Sequence, residues 1–164
     1  MKRSGAARVT PGLFDLQVNG FAGIDFNDEK ITPEMLDHAL NRMRLTGVTL
    51  CLPTLITALP DVLAARFKAL DRAIEMGRFG PVMCPGYHLE GPFLNPAEGY
   101  RGCHPHRAMT AADPAFVERL EAGLARPILL ITLAPEIEGA LDFIRWANGR
   151  GKVVAIGHSA AKGE

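Results

Sequence analysis

Gly86-Tyr87-His88-Leu89-Glu90-Gly91-Pro92-Phe93-Leu94-Asn95-Pro96 (GYHLEGPFLNP) decides how the rest of the chain is read. An apolar run closes on a histidine and a carboxylate, then turns through Gly-Pro. Alternation along a strand sends His88 and Glu90 to the same side. An unpaired buried charge is costly, so the end of this strand calls for a partner, either another side chain or a metal ion.

Outward from this segment, apolar runs alternate with helical patterns. Leu13 to Val18 reads as a first strand, and Thr32-Pro33-Glu34 as a capped helix start with proline at the first helical position. Leu36, Ala39, Leu40 and Met43 follow at the spacing of one helix face, and Gly47 ends it. Val48 to Ile56 predicts the second strand and Asp61 to Met76 the second helix. Pro81 to Leu89 predicts the third strand, followed by a Gly-, Pro- and His-rich loop from Gly91 to about Thr110. Asp113-Pro114 opens a third helix with Phe116, Val117, Leu120 and Leu124. Ile128 to Ala134 is the fourth strand. Ile137, Leu141 and Ile144 mark the fourth helix, and Lys152 to Ile156 is the fifth strand.

This alternation argues an α/β fold, a parallel sheet covered by helices, with five strands and four helices. Two architectures fit the pattern: an open doubly wound sheet, or roughly the first half of a (β/α)8 barrel, whose full form needs about 250 residues. Residues 1–10 form a short lead, and 11–164 the α/β region.

Composition excludes several functions. The 164 residues include 18 Lys+Arg and 18 Asp+Glu, so no basic surface for nucleic acid or membrane is evident. The basic start Met1-Lys2-Arg3-Ser4-Gly5 has no apolar run behind it and does not read as a signal peptide. Ile128 to Ala134, the longest apolar stretch, is too short to span a bilayer. Cys51, Cys84 and Cys103, with no CxxC pair, fit reduced thiols in a cytoplasmic protein. No strand is followed by GxGxxG or a P-loop, which weakens an open-sheet phosphate binder.

Parallel α/β folds gather their chemistry at the C-terminal ends of strands. Here those ends carry Gln17 and Asn19, Thr54 and Thr57, His88 and Glu90, Thr132 and Glu136, and His158 with Ser159. If the sheet curls, Glu90 and His158 can share a divalent cation, since imidazole with carboxylate suits zinc, iron or a similar ion. On spacing alone the alternative stands: a salt-bridged strand-end carboxylate and a hydrogen-bonded core histidine. Gln17 and Asn19 read as groups orienting a metal-bound water or substrate, or as turn caps. His104 and His106 lie in a loop able to reach over the site, and Arg101 and Arg107 could draw an anionic group. His38 is assigned no role.

Four segments, in this order, resemble the N-acetylglucosamine-6-phosphate deacetylases of the amidohydrolase superfamily. They are Pro11-Gly12-Leu13-Phe14-Asp15-Leu16-Gln17-Val18-Asn19-Gly20, His88 to Pro96, Thr132-Leu133-Ala134-Pro135-Glu136, and Ala155-Ile156-Gly157-His158-Ser159. The HLEGPFLNP stretch is the most specific. The resemblance implies a metal-dependent TIM-type (β/α)8 barrel, present here in part. It also implies a hydrolase that converts N-acetylglucosamine 6-phosphate to glucosamine 6-phosphate and acetate in amino-sugar catabolism. It makes Glu90 and His158 metal ligands and His104 a substrate contact, although Cys103 stands where alanine is common. Gln17 and Asn19 occupy the place of the His-x-His pair of many amidohydrolases, which implies one metal ion rather than two.

The resemblance further implies that a third ligand histidine, after a sixth strand, and a catalytic aspartate, after an eighth, lie beyond Glu164. No catalytic base is therefore assigned within the chain. The polypeptide by itself is expected to be aggregation-prone and weakly active or inactive, and the full-length protein a homodimer. Two alternatives stand beside the deacetylase: a non-catalytic remnant or sugar-phosphate-binding module of the same fold, and a different amidohydrolase.

Overall fold

The computed structural model describes residues 9–162. The basic start read at Met1 to Gly5 lies outside the described residues, as does most of the expected lead. The elements run β1 (Leu13–Val18), β2 (Gly20–Phe21), β3 (Ile24–Asp25), α1 (Pro33–Arg44), β4 (Val48–Ile56), α2 (Pro60–Met76), α3 (Gly80–Met83) and β5 (Tyr87–Glu90). After a 3-10 turn at His106–Ala108 come α4 (Pro114–Glu121), β6 (Ile128–Leu133), α5 (Ala140–Gly149) and β7 (Val153–Ile156).

Five strands form one parallel sheet in the order β1-β4-β5-β6-β7, each beside its predecessor in the chain. This order settles the choice of architecture. A doubly wound sheet reverses its strand order at a switch point, whereas here the order never reverses. Right-handed crossovers therefore deposit every helix on one face, and the sheet curls into a half-barrel. α1, α2, α4 and α5 pack against their neighbours in the same sequence as the strands.

Two of the helices, α1 and α4, start where the sequence caps them. Thr32 Oγ1 accepts from Met35 N at 3.3 Å, and Asp113 Oδ1 from Ala115 N at 2.9 Å, with proline next in line in both cases. Leu36, Ala39, Leu40 and Met43 of α1 are buried, as their spacing predicts. On α5 the buried face is Ala140, Phe143 and Ala147 instead, and Leu141 is exposed.

The third strand departs from its predicted limits. Gly80 to Met83 forms one turn of helix, a fifth helix not foreseen, and the strand begins only at Tyr87. Asp37 accepts the backbone N–H groups of Arg78 and Phe79 and steers the chain into that turn. Gly80 lies so close to Ile74 that a Cβ would come within 2.5 Å of its carbonyl oxygen. Pro85 has no N–H for a ladder, so pairing starts with Tyr87 N donating to Pro127 O at 3.0 Å. The β2–β3 hairpin is also absent from the sequence reading, because two-residue strands carry no periodicity.

The Gly-Pro turn after β5 has a structural purpose. Gly91 has φ +78°, and a Cβ there would lie 2.1 Å from Thr57 Oγ1, so only glycine fits. The turn drives Phe93 fully inside, with ring centroids 5.7 Å from Phe116 of α4 and 4.9 Å from Phe143 of α5. Burying such a side chain contributes about 1.5–3 kcal/mol. Ala134 N donates to Phe93 O at 2.9 Å, fastening the loop to the end of β6. The loop that bears His104 thus hangs from an anchored base.

Candidate metal centre

Register places the site. His88 pairs across to Thr54 on β4 and Leu130 on β6, while Glu90 pairs to Ile56 and Thr132. His88 and Glu90 therefore share one face of the sheet, as alternation predicts. Buried His88 sits between two threonines: Nδ1 lies 3.2 Å from Thr54 Oγ1 and Nε2 2.8 Å from Thr132 Oγ1. Burial pushes its pKa down to about 4, against the attraction of Glu90, so the ring is neutral.

Glu90, at the tip of β5, is nearly buried but well supplied with partners. Gln17 Nε2 donates to Oε2 at 3.0 Å, linking the end of β1 to the end of β5. His158 Nε2 lies 3.2 Å from Oε1 and His104 Nε2 3.8 Å from the same oxygen. The second distance is that of an ion pair rather than a hydrogen bond. With Nε2–H groups turned toward it, His104, against the opposing effect of burial and with help from His158, would hold the carboxyl at about 2.

The other nitrogen of each ring fixes what these histidines offer. Thr57 Oγ1 donates to Glu90 O at 3.2 Å and so accepts from His104 Nδ1 at 2.8 Å. The Tyr100 carbonyl, an acceptor only, takes the proton of His158 Nδ1 at 2.8 Å. In their neutral forms both rings then present Nε2 lone pairs to a carboxylate oxygen, with ring centroids 4.4 Å apart. Two lone pairs and an anion facing one point repel unless a cation lies between them. Ligand atoms of all three residues lie within 4.8 Å of one another. Donors around one zinc-like ion, each about 2.0–2.2 Å from it, stand roughly 3–4 Å apart. This donor set fits a divalent metal better than two adjacent imidazolium ions would.

The residues singled out in the sequence divide accordingly. Glu90, His158, His104 and Gln17 converge. Asn19 follows β1 and gives its backbone carbonyl to Phe26 N at 2.9 Å, and its side chain is exposed. Arg101 donates to His104 O at 3.4 Å, inside its own loop. His106 lies apart, on a cavity of about 450 Å³ with Glu136 and Glu138. His38 is exposed. Sequence reasoning passed over Thr57 and the Tyr100 carbonyl as holders of the two rings. Thr57 was visible as a polar residue at a strand end, whereas a backbone carbonyl leaves no trace in sequence.

No family model matches the chain. Individual proteins do. N-acetylglucosamine-6-phosphate deacetylase of Caenorhabditis elegans is 36% identical over 161 residues, covering 94% of this chain and 38% of that protein. The chain is similar to amino-sugar-phosphate deacetylases along nearly its whole length. N-acetylgalactosamine-6-phosphate deacetylase of Escherichia coli O157:H7 is 33% identical over 156 residues, 95% of this chain and 40% of that one. A variant N-acetyl-D-glucosamine-6-phosphate deacetylase from Mycobacterium smegmatis, solved in complex with N-acetyl-D-glucosamine-6-phosphate, superposes with a TM-score of 0.78 at 30% identity. That match covers 92% of this chain and 37% of the solved one. The chain spans about two fifths of the length of the curated deacetylases it matches.

Proposed function

We propose that this chain carries the metal-binding half of a deacetylase acting on N-acetylglucosamine 6-phosphate and releasing glucosamine 6-phosphate and acetate. The observation that carries the reading is the meeting of the Glu90 carboxylate with the Nε2 atoms of His158 and His104. It occurs at the strand ends of a half-barrel similar to deacetylases of this substrate class.

Glu90 and His158 would hold one divalent ion, which when bound polarises the amide carbonyl and makes water a better nucleophile. Gln17 steadies Glu90 through Oε2, and Tyr100 fixes the tautomer of His158. His104, held at Nδ1 by Thr57, turns Nε2 toward the same hollow as a contact for substrate. Asn19, whose side chain lies exposed after β1 and apart from the converging residues, is proposed only as an amide that orients water or substrate in the longer enzyme. Glu90 is committed to the ion through Oε1 and to Gln17 through Oε2, so the proton transfer falls to another group. That task goes to the aspartate that the resemblance implies after an eighth strand.

Free cysteines at positions 51, 84 and 103 suit a reducing cytoplasm. Among the described residues no helix is long and apolar enough to cross a membrane. A homodimer of the longer enzyme belongs to the same proposal. N-acetylgalactosamine 6-phosphate is the second candidate substrate, favoured by 33% identity to a deacetylase named for it.

The test is acetate release from both sugar phosphates by the full product of the gene. We expect a higher kcat/KM for the glucosamine form, and loss of activity and of the bound divalent metal in Glu90→Gln and His158→Ala. A wild type free of any divalent metal, or variants that keep theirs, would overturn the proposal. The 164-residue polypeptide by itself is expected to turn over slowly or not at all.

A further inference from the structure

Glu136 lies beyond β6, outside the group gathered around Glu90, yet three donors converge on its carboxylate. Oε1 accepts from Asn95 Nδ2 at 2.8 Å and from Ala160 N at 2.6 Å, and Oε2 accepts from Ser159 Oγ at 2.7 Å. The directions are fixed by further bonds. Ala97 N donates to Asn95 Oδ1 at 2.9 Å, which turns the Asn95 amide nitrogen toward Glu136. Ala161 N donates to Ser159 Oγ at 2.9 Å, which leaves the hydroxyl proton for the carboxylate. Burial opposes ionisation of Glu136, but these donors outweigh it and hold the carboxyl at about 2.

The two segments it joins are those that carry the metal-facing side chains. Asn95 is the penultimate residue of the HLEGPFLNP stretch, and Ser159 and Ala160 follow His158 directly. Between them Asn95 N donates to His158 O at 3.1 Å. His158 needs such support, since its φ of +52° is a left-handed conformation that residues with a Cβ avoid. Released, the segment would relax and carry the ring away from Glu90.

We propose that Glu136 is a positioning residue: a three-donor carboxylate clamp that holds His158 in its left-handed backbone conformation, and so keeps Nε2 aimed at the metal site. The inference rests on Glu90 and His158 being metal ligands. Supporting partners of ligands typically change metal affinity 10–100-fold.

The experiment titrates the metal-stripped full product of the gene with Co²⁺, read by visible absorption, for wild type, Glu136→Ala, Glu136→Gln, His158→Ala and the Glu136→Ala/His158→Ala pair. We expect Glu136→Ala to weaken binding by about 10–100-fold and to alter the ligand-field bands. Glu136→Gln keeps an oxygen for Asn95 and Ala160 and should recover most of the affinity. In the His158→Ala background Glu136→Ala should add nothing, because its effect passes through that ring. Unchanged affinity in Glu136→Ala, or an equal loss in both backgrounds, overturns the clamp while leaving the metal reading intact. Absence of Co²⁺ binding by wild type overturns the metal reading instead. The clamp is then judged in the metal-free protein by exchange of the Asn95 backbone N–H, which bonds to His158 O and not to Glu136. Faster exchange in Glu136→Ala supports it, and an unchanged rate refutes it.

Discussion

Mild acid should weaken the fold through one residue, His88. Its ring is buried between Thr54 and Thr132, and its pKa falls from 6.5 to about 4. The folded state thus binds fewer protons than the unfolded state between these values, and stability rises with pH across the window. The stabilisation is complete above about pH 6.5 and lost as pH falls toward 4. A shift of this size corresponds to about 3 kcal/mol in full, and about 2 kcal/mol of it should vanish between pH 7 and pH 5. Glu90 and Glu136, both depressed from 4.5 to about 2, lose their contributions as pH falls from about 4.5 toward 2, below the pH 7 to 5 range of the assay. The assay is urea denaturation of the metal-free chain at half-unit steps from pH 7 to pH 5. A loss of about 2 kcal/mol moves the midpoint by roughly 1 M at ordinary m-values. His88→Gln, which has no titrating ring, should be less stable at pH 7 and lack most of the slope. A flat wild-type profile, or the same slope in His88→Gln, would refute the argument that this ring is held neutral by burial.

Other perturbations test the surroundings of the site. Gly91→Ala places a methyl group on Thr57 Oγ1 in a left-handed backbone, so a stability loss of at least about 2 kcal/mol is expected by urea denaturation. Tyr87→Phe removes the hydroxyl that donates to buried Asp71, leaving that carboxylate the Ala125 amide alone, and should cost about 1–3 kcal/mol by the same measurement. At the outer strand β7, Val153 and Ile156 are 61% and 70% exposed, which makes an apolar edge. The Val153→Lys/Ile156→Lys pair should lower light scattering at a fixed protein concentration, and unchanged scattering would show that association uses another surface.

The sequence by itself determined the order of strands and helices, because burial imposes one period on strands and another on helices. β4 runs over the residues its apolar run predicts, and α1 starts at the cap its Thr-Pro-Glu sequence predicts. It also determined which side chains have chemistry to offer, since Glu90 and His158 stand at strand ends in recognisable segments. It misread Pro81 to Cys84, where an apolar run served a helical turn against α2, because local hydrophobicity does not say which neighbour will cover it. Tertiary structure alone chose the half-barrel over an open sheet, through pairing between strands remote in sequence. It alone brought Glu90 within 3.2 Å of His158, 68 residues away, and set the ring tautomers through Thr57 and the Tyr100 carbonyl. Those are matters of register and backbone direction, fixed only once the strands have paired and the sheet has curled.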